Sequence, residues 1–490
     1  MLEKVTNAPR VPPLHIYVPY LRFIRQITRT HIRYPLHGEL GLFDRKGYHL
    51  IMSRLFTGLW KHADFRKLWA GQTISLFGSQ ITLLALPVVA TLTLHANALQ
   101  MGVLRAASSL PGLLFGLLVG VWVDRLRRRR ILISADLGRA LLLVSIPIAA
   151  VLGLLSMGQL YIVAFVTGLL SLFFDVAHVS LLPSLVQRKD LIDGNSKLEL
   201  SRAGARIAGP GVAGLLIQVV TAPFAIIVDV LSFLGSALFL SLIRTPEPTS
   251  PRQGTREGHP YHTTKPPITP VYSGYPGVGL FISLFWSDIR VGLRVVLQNP
   301  ILRAISLSLM VFNFFLSMIS ALYVLYVIRT LGVSPVMLGF IYTAGSIGFL
   351  IGAALAGHAA RRLGVGPVII WGAILCDVPY LLIALAGGPL TISVPMLIAA
   401  QFLSSIGGPI TAINQSSLRQ AITPDAIQGR VNGTARFIGA SMGPIGGLIA
   451  GVLGEHIGLR PTLVLATIGI QTGIFLLLIP SILKFRGLAE

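Results

Sequence analysis

Seven ionisable residues inside long apolar runs stand out as candidates: Arg105, Asp136, Arg139, Asp175, His178, Asp229 and Asp377. A charge held in hydrocarbon costs at least about 2.5 kcal/mol, so each must be neutralised, paired or put to use. Asp136 and Arg139 are three residues apart on one helical face, where a structural ion pair and a proton relay are equally open readings. Asp175 has only His178 as a partner one turn away, and a carboxylate beside an imidazole is a candidate protonation site. Asp229 can cap a helix or pair with Arg105, with structure ranked above function, and Asp377 fits either role. Gln80, Asn313, Asn414 and Gln415 add uncharged hydrogen-bonding groups, suited equally to a polar ligand and to bonds between helices. This set supports binding and release of protons. An enzyme in the membrane would need clustered His and carboxylates or a nucleophile with its base, and Asp175 with His178 alone falls short. No catalytic residue, metal site or cofactor is expected.

The elements that carry these groups must be membrane helices. The chain has 490 residues, 53% hydrophobic and only 12% charged, against roughly 25% charged in soluble domains. Windows of about 20 apolar residues fall near 67–94, 99–123, 131–155, 158–182, 198–220 and 223–243, then near 301–327, 335–360, 367–387, 391–417, 432–455 and 461–483. Gly and Pro inside them, such as Pro87, Pro147 and Pro379, are tolerated in membrane helices, so helices are favoured over a barrel. The fold class expected is an all-α integral membrane protein of twelve transmembrane helices in two pseudo-symmetric six-helix bundles.

A net charge of +22 would suggest nucleic acid in a soluble protein. Here the basic residues lie in short stretches between spans, so lipid is the expected partner and nucleic acid is not. Arg125 and Arg127 to Arg130 follow the second span, Arg188 and Lys189 the fourth, Arg361 and Arg362 the eighth, and Arg419 and Arg430 the tenth. The alternate loops carry no Lys or Arg, apart from Arg329 and Arg460. The positive-inside rule then places both termini in the cytoplasm. Cys376, the single cysteine, lies in an apolar run and reads as packing.

Four regions are expected: a basic N-terminal extension over 1–61, a six-helix bundle over 62–245, a cytoplasmic linker over 246–283, and an amphipathic helix with the second bundle over 284–490. The linker is rich in Pro, Gly, Thr and His and cannot bury a core. The amphipathic helix is placed over 284–299, with Ile289, Leu293 and Val296 on one side and Arg290 and Arg294 towards headgroups. Residues 1–51 lack the continuous apolar core of a signal peptide, and Met52 is a second candidate translation start.

Three patterns recur in order at an offset of about 235 residues, the signature of a duplicated chain. Gly120-x-x-x-Asp124-Arg125 after the second span answers to Gly357-x-x-x-Arg361-Arg362 after the eighth. Asp190-Leu-Ile-Asp-Gly194 answers to Asp425-Ala-Ile-Gln-Gly429. Gly209-Pro210-Gly211-x-x-Gly214 answers to Gly443-Pro444-x-Gly446-Gly447. Asp124 at a helix end can face another helix's positive N-terminus or pair with an Arg, while Arg127 to Arg130 can also serve topology alone. Gly-Pro clusters let helices approach closely and bend, and plain packing is the larger part of their prior.

On these residues, from about 62 to the end, the chain resembles the major facilitator superfamily. Gly120-Val-Trp-Val-Asp124-Arg125-Leu-Arg-Arg128-Arg129 is similar to that family's signature between its second and third helices, with Arg127 where Gly is usual. Leu68-Trp69-Ala-Gly71-Gln72-Thr-Ile-Ser75-Leu-Phe-Gly78-Ser79-Gln80, Ala135-Asp136-Leu-Gly-Arg139-Ala and Val228-Asp229-Val-Leu-Ser232-Phe233 look like the branch of macrolide-efflux pumps and the enterobactin exporter. The resemblance implies a gating latch at Gly120, Asp124, Arg125, Arg128, Gly357, Arg361 and Arg362, and an exchanger's helix-bend motif at Gly209, Pro210, Gly214, Gly443, Pro444 and Gly447. It implies a monomeric secondary transporter of the cell membrane, exporting a drug-like, macrolide-like or siderophore-like small molecule in exchange for protons by alternating access. No Gly-x-x-x-x-Gly-Lys-Ser/Thr run is present for direct ATP use. An importer or lipid flippase of the same fold is the alternative, and a membrane-embedded enzyme ranks far below both.

Overall fold

A computed structural model describes residues 59–116, 118–245, 290–483 and 485. The N-terminal extension to residue 58, the linker and the first part of the amphipathic segment therefore lie outside the described residues. All regular structure among the described residues is helical.

In the N-terminal half, α1 is Ala63–Val88, α2 Ala98–Phe115, α3 Leu118–Arg125, α4 Arg128–Val151, α5 Met157–Leu185, α6 Leu191–Val220 and α7 Ala222–Ser241. In the C-terminal half, α8 is Pro300–Leu325, α9 Pro335–Leu363, α10 Val365–Asp377, α11 Leu381–Leu385, α12 Leu390–Ile422, α13 Gln428–His456, α14 Leu459–Leu477 and α15 Pro480–Leu483. Single π turns, Val89–Thr93 and Tyr326–Thr330, extend α1 and α8.

Starts and stops follow local chemistry. Asn97 and Gln100 form a reciprocal capping box at α2. Asn299 accepts from the backbone N–H groups of Ile301 and Leu302, with Pro300 at the first helical position of α8. Gly364 and Gly458, at φ of 86° and 92°, turn the chain into α10 and α14, a conformation glycine adopts without steric cost.

Among the described residues, eleven helices are long and apolar enough to cross a membrane. The expected second span is the exception. It divides into α2 and α3 around Gly116, and Gln100, Arg105, Ser108 and Ser109 dilute the hydropathy of α2. The expected ninth span is also interrupted, α10 passing through a 3-10 turn over Val378–Tyr380 into α11, as Pro379 demands. Residues 290–298 are helical, with Gly292 and Val296 buried and Leu293 exposed. Val296 packs with Val431 at the start of α13.

The packing of the core distinguishes the two ends. At the end away from the arginine-rich loops, one continuous cluster joins both halves, running through Val88, Met101, Ile217 and Ile226 to Leu322, Leu338, Leu397 and Ala450. At the arginine-rich end the cores are separate. One cluster there holds Phe65, Val123, Leu132, Phe174, Leu181 and Leu240, and another holds Ile305, Ile369, Leu418, Ile474 and Leu477.

The halves meet mainly along two crossings, α2 with α13 and α6 with α9. Both crossings are lined by glycine. A Cβ on Gly102 would stand 2.5 Å from the Gly447 carbonyl and 2.7 Å from Gly451 Cα, and one on Gly214 would stand 2.5 Å from the Pro335 carbonyl and 3.1 Å from Val336 Cα. Gly339 faces the Pro210 carbonyl at a comparably close approach. Small residues at such contacts let two backbones touch, the main source of helix association where lipid removes the hydrophobic drive. Arg329 Nη2 donates to the Thr91 carbonyl at 3.3 Å, and Asn97 Nδ2 to Glu455 Oε1 at 3.3 Å, so polar bonds fasten the rim of the same end.

Gly339→Leu is expected to destabilise the detergent-solubilised protein by about 1–3 kcal/mol, the usual penalty for overpacking. Gly357→Leu, on the same helix with only Arg361 Nη1 at 3.6 Å from its added Cβ, should leave thermal denaturation nearly unchanged. Equal losses for the two variants would show that the crossing is not close-packed.

Candidate functional site

The interior charges sort into three sets by what surrounds them. The first lies inside the N-terminal half. Asp136 and Arg139, one turn apart on α4, form an ion pair, with Asp136 fully buried and Arg139 5% exposed. The Arg139 guanidinium is held between two aromatic faces, 4.5 Å from the Phe174 ring centre and 4.1 Å from that of Phe233, an arrangement that favours a planar cation. Asp229 on α7 accepts from Thr82 Oγ1 and, at 2.9 Å, from Ser232 Oγ. It therefore does not pair with Arg105, the alternative raised by the sequence. Asp229 finds its donors within its own half, whereas Arg105 lies against α13 of the other half, its Cγ 3.1 Å from where a Gly447 Cβ would stand.

The second set is on α5 and α6. His178 is buried, stacked on Phe174 with ring centres 6.0 Å apart, and its Nε2 has no hydrogen-bond partner. Asp175 is exposed and lies within electrostatic reach of Arg139 and Arg202 rather than bonded to His178. Asp175 and His178 thus share one stretch of α5 without forming a direct dyad. Arg202 pairs with Glu199 towards the arginine-rich end.

The third set is in the C-terminal half. Asp377, at the last turn of α10, is 5% exposed and has no ion-pair partner among the described residues. Its carboxyl borders a cavity of about 80 Å³ shared with Ser308, Phe312, Cys376, Thr411 and Gln415. That volume admits a few waters and is far below the 300 Å³ or more of a drug-sized site. Gln471 donates to the Asp377 carbonyl at 2.8 Å, fixing the backbone there.

The repeated sequence patterns are placed differently from one another. Arg128 Nη1 donates to the Ser180 carbonyl at 3.2 Å, and Arg129 Nε to the Leu240 carbonyl at 2.8 Å, so both bond within their own half. The side chains of Asp124 and Arg125 lie outside the described ones. Gly120 has open space beside it, and Arg361 and Arg362 are exposed. The Gly-Pro clusters, by contrast, sit on the crossings between halves. Gly214 and the Pro210 carbonyl meet α9, Gly447 meets α2, and Gly443 lies 3.3 Å, from its would-be Cβ, to Ser109 Cβ. Gly209 packs on Gln80 within the N-terminal half. Pro444 is buried in the same stretch of α13. Asn414 Nδ2 donates to the Ala356 carbonyl at 3.3 Å and Asn313 Nδ2 to the Leu309 carbonyl at 2.8 Å, so these amides serve helix contacts.

Sequence reasoning passed over Arg206, one turn beyond Arg202 and midway along α6. Two basic residues four apart inside the fifth apolar window were the available signal. It also passed over Tyr323, Tyr342 and Tyr380, which lie far apart in sequence and gather near Arg105 only in the fold.

The profile of the Major Facilitator Superfamily matches residues 68–446, and again 305–484. The multidrug efflux pump Tap of Mycolicibacterium fortuitum is 28% identical over 392 residues, covering 79% of this chain and 88% of that protein. The enterobactin exporter EntS of Escherichia coli O1:K1 / APEC is 24% identical over 402 residues, covering 80% and 86%. Among solved structures, a bacterial homologue of the iron transporter ferroportin in the inward-facing state aligns with a TM-score of 0.65 at 16% identity, covering 86% of this chain and 98% of that one. The nucleoside transporter NupG aligns with a TM-score of 0.62 at 12% identity, covering 86% and 100%. With the profile spanning most of the chain and both helical halves in place, this is a multi-pass membrane transporter of the Major Facilitator Superfamily.

Proposed function

We propose that the protein exports a small amphipathic molecule across the cell membrane by alternating access, in exchange for protons. The observation that carries this reading is the asymmetry of the core: one cluster fuses the halves at one end, and separate clusters hold them at the other. Two bundles that share a core at one end only can rock about the glycine crossings, exposing a central site to each side in turn. On this reading the arginine-rich loops are cytoplasmic, the shared core seals the outer end, and the separate cores mark the end at which cargo is loaded from the cell. The names of the relatives Tap and EntS, an efflux pump and an exporter, favour the outward direction.

The roles of the interior charges separate on their surroundings. Asp136 and Arg139 neutralise each other in a site closed by Phe174 and Phe233, which suits a structural pair. Asp377 borders a small, mainly apolar cavity and has no cation to balance it, so its ionised form is costly in the membrane and a proton is its natural ligand. Asp175, exposed beside Arg202, provides a second carboxylate open to the inner side.

Expression in bacteria lacking their own pumps should lower accumulation of a fluorescent dye or macrolide, and a protonophore should abolish the difference. Unchanged accumulation, with the protein present in the membrane, would count against export of such compounds. Asp377→Asn should leave the folded protein intact yet remove the protonophore-sensitive component. Undiminished proton-driven export by that variant would exclude Asp377 from coupling. Removing one partner of a buried ion pair costs about 3–5 kcal/mol. Asp136→Asn should therefore reduce stability sharply, and the double variant with Arg139→Gln should recover part of the loss; full activity and stability in the single variant would refute the structural assignment.

A further inference from the structure

Two cations stand at the seam between the halves without a carboxylate to pair with. Arg105 on α2 and Arg206 on α6 form no ion pair among the described residues. Both reach into the opposite half, Arg105 packing on Gly447 of α13 with Tyr342 of α9 nearby, and Arg206 packing on α9. Arg105 is within electrostatic reach of Tyr342 on α9, and the Arg206 guanidinium lies 5.1 Å from the ring centre of Phe349 on α9. Tyr342 and Phe349 are two helical turns apart, on one face, which separates the two levels by about 10 Å along the helix.

Unsatisfied polar atoms collect at this seam. Arg105 Nε, Tyr323 Oη and Thr343 Oγ1 are buried without hydrogen-bond partners. Tyr323 packs edge-on against Tyr342 with ring centres 5.8 Å apart, and Thr343 Oγ1 lies 3.2 Å from where a Cβ on Gly211 would stand. Buried polar atoms in native proteins are nearly always satisfied, so these three, on helices of both halves, offer donors and acceptors to a group bound at the seam. The carboxylates are spoken for elsewhere. Asp136 belongs to Arg139, Asp229 to Thr82 and Ser232, and Asp175 is shared by Arg139 and Arg202, while Asp377 is enclosed in the C-terminal half.

We infer that the cargo is an aromatic organic anion, its negative group drawn between Arg105 and Arg206 and its rings lying on Tyr342 and Phe349. Guanidinium groups pair with carboxylate and related oxyanions through paired N–H donors, and aromatic faces take up planar apolar bodies. The site would disfavour an organic cation by placing two like charges beside it. This inference rests on the transporter reading for its location and adds the charge class of what is moved.

The test uses two xanthene dyes of similar body and opposite charge, carboxyfluorescein and rhodamine 123. Binding to the purified full-length protein is followed by fluorescence anisotropy, and export is followed from cells lacking their own pumps. Carboxyfluorescein should bind and rhodamine 123 should not. Arg105→Gln and Arg206→Gln should each weaken binding about tenfold, the equivalent of about 1.4 kcal/mol. Arg206→Lys, which keeps the charge and loses the paired donors, should recover only part of the affinity lost in Arg206→Gln. Since Arg206 is exposed, its variants keep the fold even where an Arg105 variant does not. Arginine-dependent binding of carboxyfluorescein without export would uphold the inference and count against the exporter reading. Export of rhodamine 123 without binding of carboxyfluorescein would overturn the inference and leave the exporter reading standing. Binding of neither dye, or carboxyfluorescein binding that ignores both arginines, would also overturn it.

Discussion

The structure depends on backbones that touch. In lipid there is no hydrophobic force to press one helix against another, so association rests on close packing and on bonds between polar groups. At the α2–α13 and α6–α9 crossings the packing is as close as glycine permits, with Gly102 set against Gly447 and Gly451, and Gly214 against Pro335 and Gly339. Everything else about the arrangement of the halves follows from where these contacts lie. They lie towards one end, beside the single cluster shared by both halves, and they leave the arginine-rich end without a common core. A joint made of small, smooth surfaces can also come apart, which a joint of interdigitated large side chains resists.

Charge is distributed on the same plan. Groups that hold a half together are paired inside it and closed off by aromatic rings or hydroxyls, as at Asp136 with Arg139 and at Asp229 with Thr82. Two cations at the moving seam have no ion-pair partner among the described residues. Arg105 and Arg206 face the partner half rather than a carboxylate, and a bound anion at the seam would offset the cost of holding them at membrane depth. Asp377 is a third kind, without a cation partner and beside a cavity too small for an organic ligand but large enough for water.

Much of this was legible in the sequence, and the reasons differ by feature. Apolar length is a one-dimensional property, so the spans and the ion-pair spacing of Asp136 and Arg139 could be read from the chain alone. The second span was legible as an apolar window but not as two helices, because the break at Gly116 depends on packing that a hydropathy window ignores. The Gly-Pro clusters were visible as motifs, yet nothing in the sequence could say that they face the opposite half. Their partners, Gly102, Gly339 and Gly451, stand more than 100 residues away or carry no motif. The Arg105 environment was hidden for the same reason, since Tyr323, Tyr342 and Tyr380 converge only through tertiary contacts. Of the two roles open to Asp229, capping or pairing with Arg105, the second is not realised, because rotation about the helix axis, which the sequence does not show, decides which half each residue addresses.

The central claim is that the two halves rock about the glycine crossings, and distances across the two ends test it most directly. With Cys376, the single cysteine, replaced by serine, which keeps a donor beside Asp377, spin labels at His95 and Thr330 would report the closed end, and labels at Ile192 and Gln420 the arginine-rich end. Double electron–electron resonance on the protein in lipid nanodiscs, across a range of pH and with added cargo dye, would give both distributions. The account predicts that the two distances change in opposite senses, the first lengthening as the second shortens. Distances that stay fixed under all conditions, or that lengthen together, would contradict it.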